Sequence, residues 1–202
     1  RPVGTALSPN GIGMHDGNLL SVSNLDKVLH VDREKCEVTV QAGAKVSQVL
    51  AELRKYGLTL ENFSSIQEQQ MGGWCQVAAH GTGAGLPTVE EQVVGMTLVT
   101  PVLGRVRLKP GDELFRWAKA GIGCLGVVSE LTLRCIPLLR LREVTYTDTR
   151  EGVKARHAEL LRTCRHVRYM WLPYTDVVVV VVSNPVGVPL PALPPPPPPP
   201  PP

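Results

Sequence analysis

Residues 121–126 read Gly-Ile-Gly-Cys-Leu-Gly, a G-x-G-x-x-G pattern, and its surroundings decide what the chain cannot be. In a Rossmann unit that pattern follows a strand and opens a helix, so that a pyrophosphate meets free N–H groups at the helix N-terminus. Here the order is reversed. Leu114, Phe115, Trp117 and Ala118 give one apolar face to a helix that Asp112 would cap and Gly121 would end. After Gly126 comes Val127–Ile136, ten residues of strongly β-prone sequence. That ordering argues against a nicotinamide-binding Rossmann domain.

The remaining pattern predicts an α+β fold. Residues 1–18, rich in Gly, Pro, Ser and Asn, read as a loop. Strands are predicted at Leu19–Val22, Val28–Val31 and Val38–Gln41. Val46, Val49, Leu50, Leu53 and Tyr56 then recur at helical spacing, with Gly57 where a C-terminal cap belongs. Leu58–Leu60 is a short extended piece, and a short helix is predicted over Trp74–Ala79. Strands follow at Val93–Thr100 and Arg105–Leu108. Beyond Pro137 come a strand (Leu141–Thr147), a helix (Glu151–Cys164) and two strands (Val167–Leu172, Val177–Ser183). Strands and helices alternate without a simple repeat. A domain over residues 1–185 is followed by a Pro-rich tail over 186–202, read as disordered or polyproline II, which ends in nine consecutive prolines.

Phe, Trp and Tyr make up only 4% of the chain against 43% hydrophobic residues, so aliphatic side chains must build the core. The 21 basic and 18 acidic residues are scattered, which leaves no electrostatic footprint for nucleic acid. No apolar run approaches the ~20 residues of a membrane span. Cys36, Cys75, Cys124, Cys135 and Cys164 form no CxxC pair and no metal-ligand spacing, and read as buried or partly buried free thiols.

Two segments have the composition to hold an anion. Arg1–Gly13 places three glycines, two prolines and small polar side chains in one loop, which lets several backbone N–H groups approach a phosphate. An ordinary surface loop has the same composition. Gly72-Gly73, ahead of the predicted short helix, offers free N–H groups at a helix start. His80, followed by Gly81-Thr82-Gly83, is either a ligand-lining or a plain solvated histidine.

Five segments carry a resemblance. Arg1-Pro2-Val3-Gly4 through Ser8-Pro9-Asn10-Gly11, Gly57-Leu58-Thr59-Leu60-Glu61-Asn62, Glu68-Gln69-Gln70, His80-Gly81-Thr82-Gly83 and Gly126-Val127-Val128-Ser129-Glu130 stand in matching order and spacing. Together they resemble the sugar-lactone oxidoreductases of the vanillyl-alcohol-oxidase (PCMH) flavoprotein type, almost continuously from Arg1 to about Pro185. The resemblance implies a FAD-binding domain of two α+β subdomains, with three flavin-contacting segments converging between them. The pyrophosphate loop falls on Val3, Gly4, Thr5, Ala6, Leu7, Ser8 and Pro9. The second segment spans Ser64 to His80 and includes Ser65, Gly72, Gly73, Val77 and Ala79. The third falls on Gly126, Val127 and Val128.

The same resemblance implies chemistry. Leu7 stands where oxidase relatives carry a His bonded to the flavin, so the FAD is expected to be non-covalent. Ser64 falls where dehydrogenase members carry Ala and oxidase members Gly, and a Cβ there is expected to gate oxygen. The similar plant and algal enzymes oxidise L-galactono-1,4-lactone to ascorbate, pass electrons to cytochrome c at the mitochondrial inner membrane or its intermembrane-space side, and associate with assembling complex I. The chain is expected to be incomplete at both ends. A βαβ unit ahead of the pyrophosphate loop and a substrate domain after residue 185 are missing, so no catalytic residue can be named and the fragment alone is expected to be inactive. The alternative is a non-catalytic structural subunit or assembly factor of mitochondrial respiratory complex I; a bound flavin distinguishes the two.

Overall fold

A loop rich in glycine and proline needs anchors, and in the computed structural model, which describes residues 1–193, the opening segment has several. Strand β1 (Pro2–Val3) pairs in parallel with β2 (Leu20–Ser21). Leu20 N and Val22 N donate to the carbonyls of Arg1 and Val3 at 2.9 and 3.2 Å. Between the two strands, Asn10 accepts from Ile12 N and caps a 3-10 turn over Gly11–Gly13.

These elements belong to the first of two units, formed by Arg1–Gly81 and Pro87–Leu138. It continues with β3 (Val28–Asp32), β4 (Glu37–Gln41), α1 (Val46–Lys55), β5 (Leu58–Thr59) and α2 (Met71–Gln76). After these come β6 (Val93–Thr100), β7 (Gly104–Leu108), α3 (Glu113–Ala118), β8 (Val127–Arg134) and β9 (Ile136–Pro137). Five strands make one antiparallel sheet in the order β3-β4-β8-β6-β7, and β5 pairs separately with β9.

The sheet's inner face follows from alternation. In β4, Val38 and Val40 are fully buried while Glu37, Thr39 and Gln41 are half-buried, the period of two that a strand with one core face requires. In α1, Val46, Val49, Leu50 and Leu53 form the i, i+3, i+4, i+7 stripe of a helix laid on a core. Gly57, at φ +71°, takes the left-handed position that stops it. Alternation slips once in β8. Thr97 pairs with Glu130 and Leu98 with Val128, so Ser129 is a bulge residue and the buried set becomes Val128, Leu131 and Leu133.

Two elements differ from expectation. The ten-residue strand over Val127–Ile136 is broken at Cys135, because Ile136 and Pro137 leave β8 to pair with β5. The short helix starts at Met71 rather than Trp74, so Gly72 and Gly73 lie in its first turn, not ahead of it. Glycine propensity argues against that start, but Met71 N and Gly72 N are held by the carbonyls of Ala44 and Ala42 at 2.9 and 2.7 Å. Asp112 sits at the N-cap of α3 as expected, yet its carboxylate accepts from Lys109 N instead of a helix N–H.

The second unit comprises Thr82–Leu86 and the described residues from Leu139 on. It contains β10 (Leu141–Thr149), α4 (Arg150–Thr163), β11 (His166–Trp171) and β12 (Val177–Pro185), with β12 antiparallel to and between the other two strands. The β10-α4-β11 crossover is therefore a split βαβ with β12 inserted. Leu160 of α4 packs on Val178, Val180 and Val182. Thr149 caps α4 by accepting from Gly152 N at 3.0 Å. Residues 186–193 fold onto this unit: Val186 N donates to Arg140 O at 2.9 Å and Arg156 Nη2 to Ala192 O at 2.6 Å. The proline run 194–202 lies outside the described residues.

All five cysteines are free; Cys75, Cys135 and Cys164 are buried and Cys36 partly so, but Cys124 is exposed. Burial pushes the Cys75 and Cys135 thiols up to about 12. Among the described residues no helix is long and apolar enough to cross a membrane.

Candidate cofactor site

Three glycine-bearing segments meet at one end of the first unit's sheet, each held by a specific set of bonds. Residues 67–72 run alongside the link between β4 and α1, where Ser47 N and Val46 N donate to Gln67 O and Gln69 O, both at 3.0 Å. Gly72 is required there, since a Cβ would stand 2.8 Å from Ala42 Cβ. The opening segment is clamped to the same strand end by Gly43, whose N–H donates to Leu25 O at 2.7 Å and whose missing Cβ admits Val22 O. The third segment is docked by Gln76 of α2, which donates to Ala118 O at 2.6 Å and accepts from Gly123 N at 3.0 Å.

Between them lies an open cleft with about 860 Å³ of space, open solvent at its mouth included. Every residue lining it belongs to the first unit. Of the residues singled out in the sequence, Val3, Gly4, Thr5, Ala6, Leu7, Ser8, Gly72, Gly73, Val77, Gly126 and Val128 line the cleft. Pro9, Ser65, Ala79, His80 and Val127 are not among its lining residues. His80 is exposed, with Nδ1 2.9 Å from Gly81 O. Ser64 stands behind the wall: its hydroxyl donates to Gln69 Oε1 and accepts from Trp74 Nε1 at 3.0 Å, and both partners line the cleft.

The segment Ser64–His80 contained Gln69, Gln70, Trp74 and Gln76 without singling them out, and sequence reasoning missed Ile122 and Gly123. A signal existed for the last two. They belong to the G-x-G-x-x-G stretch, whose reversed context removes a Rossmann role but not a ligand role. Gln69 and Gln70 stand in a segment that carries the resemblance, but polar residues in an irregular stretch have no period to show which of them face a ligand.

The lining suits a large dinucleotide. A Cβ on Gly73 would meet no atom within 4 Å, so the helix wall is left bare on the cleft side. Ala6, at φ +51°, turns the loop backbone in a way most side chains disfavour. Val3, Leu7, Ile12, Val77, Ile122 and Val128 supply apolar walls, and Arg1 is the charged residue of a lining without any acidic side chain. Gln70 brings a buried amide oxygen without a partner. An anion with a flat aromatic group attached matches that set.

A profile of the FAD binding domain family matches residues 1–107 of this chain. The chain belongs to that family. FAD is its cofactor, and the cleft residues fit it. The L-galactono-1,4-lactone dehydrogenase of Brassica oleracea is 54% identical over 93% of this FAD-binding chain and 32% of its own length. That of Arabidopsis thaliana is 52% identical over 93% and 31%. The L-gulonolactone oxidase of Bos taurus is 32% identical over 90% and 42%. The chain thus spans about a third of the length of its most similar relatives here. Among solved structures, the cholesterol oxidase of Brevibacterium sterolicum superposes with a TM-score of 0.82 at 19% identity, covering 94% of this chain and 41% of that one. An alkyldihydroxyacetonephosphate synthase gives 0.76 at 18% identity over 91% and 42%. The fold is the α+β FAD-binding fold of the vanillyl-alcohol-oxidase type.

Proposed function

We propose that this chain is the flavin-binding part of a mitochondrial aldonolactone dehydrogenase that oxidises L-galactono-1,4-lactone and passes the electrons to cytochrome c. The observation that carries the reading is the glycine-walled cleft, taken with relatives named for lactone oxidation at up to 54% identity. FAD, when bound, supplies a two-electron acceptor for the hydride of the lactone carbinol. The chain's own part is to bind and orient it. The loop Val3–Ser8 and the bare wall at Gly73 would hold its diphosphate, and the aliphatic walls would exclude water from its ring system.

No His, Asp, Glu, Lys, Cys or Tyr lines the cleft, which has two consequences. Among the described residues, the lining offers no side chain to take the substrate proton, a group that must stand within hydrogen-bond reach of the hydroxyl. No lining side chain can bond to the flavin either, and Leu7 is aliphatic, so the FAD is dissociable.

The test is lactone-dependent reduction of cytochrome c. The full-length protein is expected to perform it, and the 202-residue chain is expected to give no rate above a blank. A full-length, FAD-loaded protein indifferent to lactone overturns the reading. Ser64 keeps a Cβ, held in place by Gln69 and Trp74, and we read it as the block on oxygen access. Ser64→Gly in the full-length protein is then expected to speed stopped-flow reoxidation of the reduced flavin by oxygen; equal rates remove Ser64 as a gate.

A further inference from the structure

Gln70 carries a buried polar atom that nothing among the described residues satisfies. It stands at the N-cap of α2, is 6% exposed, and lines the cleft. Its side chain lies between Ser23 and Gly4. Nε2 donates to Ser23 Oγ at 3.2 Å, and Ser23 Oγ also accepts from Ser21 Oγ at 3.1 Å. The other end of the amide, Oε1, is buried without a partner. It abuts Gly4, where a Cβ would lie 2.6 Å from Oε1, so Gly4 and Gln70 fit each other and no larger residue fits at position 4 without moving the amide.

An unpaired buried acceptor costs about 1–3 kcal/mol, and a methionine would fill the same space without that cost. The amide therefore serves something outside the protein. The two ends of a carboxamide have the same shape, and which is oxygen follows from their partners. With Nε2 toward Ser23, the Ser23 hydroxyl accepts twice and donates to nothing among the described residues. With the amide turned over, Ser23 Oγ–H donates to Oε1, and the NH₂ group stands beside Gly4, a residue that lines the cleft. What faces it must accept hydrogen bonds. Without an acidic side chain in the lining, an anionic ligand group is free to do so.

We propose that Gln70 binds the FAD diphosphate: with the cofactor in the cleft, its NH₂ donates to a phosphate oxygen while Oε1 takes the Ser23 hydroxyl. This rests on the cleft being the FAD site. Gly4 lacks a side chain so that the amide can reach past the loop, and Ser23 fixes which end points outward.

The experiment measures FAD affinity of the chain by flavin fluorescence, with ADP as a competing diphosphate and riboflavin as a phosphate-free probe, beside melting of the apo protein. Gln70→Met is expected to weaken FAD and ADP alike by about 10- to 100-fold, the loss of one charge-assisted hydrogen bond. Its apo melting temperature is expected to stay level or rise, since an unpaired buried polar group has gone. Gln70→Glu keeps an acceptor, removes the donor and sets a carboxylate against the diphosphate, so it is expected to bind FAD more weakly than Gln70→Met. Riboflavin binding stays unchanged in both. Gln70→Met melting lower with FAD affinity unchanged marks a structural role and overturns the proposal. Gln70→Glu binding FAD like the unmodified chain also overturns it, because Gln70 would then accept from a hydroxyl or amine of the cofactor. An unmodified chain that binds neither FAD nor ADP instead overturns the placing of FAD in this cleft.

Discussion

Gly73→Leu is expected to weaken FAD binding by on the order of 100-fold and leave the apo fold at least as stable as before. The two halves of that result have separate causes. Gly73 lies in the first turn of α2 and lines the cleft, and a Cβ added there meets no protein atom within 4 Å. A side chain added there therefore starts into open space in the apo protein. It also replaces a glycine inside a helix, which stabilises by roughly 0.5–1 kcal/mol. The space it enters is the space the cofactor needs. Forcing a side chain into a filled site costs up to about 3 kcal/mol, on the order of 100-fold in affinity. Calorimetric titration with FAD and apo melting check both halves. A variant that binds FAD within a few-fold of the unmodified chain would show that the wall at Gly73 does not face the cofactor.

Gly126→Ala is expected to do the opposite and destabilise the protein whether or not FAD is present. Gly126 opens β8, the central strand of the first unit's sheet, at φ +147°. An alanine there would bring Cβ to 2.5 Å from Val99 O, a backbone atom in β6 that cannot swing away like the end of a side chain. Strain of this kind is worth about 1–3 kcal/mol before the clash is added. A melting temperature lower by roughly 2–4 °C per kcal/mol follows for a chain of this size. Affinity for FAD is expected to fall with it, because Gly126 and Val128 both line the cleft. A Gly126→Ala protein that melts with the unmodified chain would mean that β8 and β6 part at no cost, against the register in which Val127 pairs with Val99.

The contrast between these glycines also shows what was legible in the sequence. β4, α1 and β6 were readable because their signals are local: alternation in Val38 and Val40, and a four-residue stripe in α1. The start of α2 was not, because two backbone bonds to Ala42 and Ala44 decide it and no local propensity hints at them. The break at Cys135 has the same origin, since the pull on Ile136 and Pro137 comes from β5, nearly eighty residues earlier in the chain. At the site, the glycine segments stood out by composition, and most of their residues do line the cleft. Gln70 and Gln76 act through the partners that a fold brings to them, Ser23 and Gly4 for one, Ala118 and Gly123 for the other. The sequence leaves His80 open between a ligand-lining and a solvated histidine. Its flanking glycines allow either, and it is exposed and not among the residues lining the cleft.

The central claim is that the cleft of the first unit takes FAD without a covalent bond. Titration of the apo chain with FAD, followed by acid precipitation of the complex, tests it most directly. The expected result is saturation at a single FAD per chain, quenching of tryptophan emission because Trp74 lines the cleft, and yellow colour left in the supernatant after acid. A chain that takes up no FAD, or a pellet that keeps the colour, would contradict it.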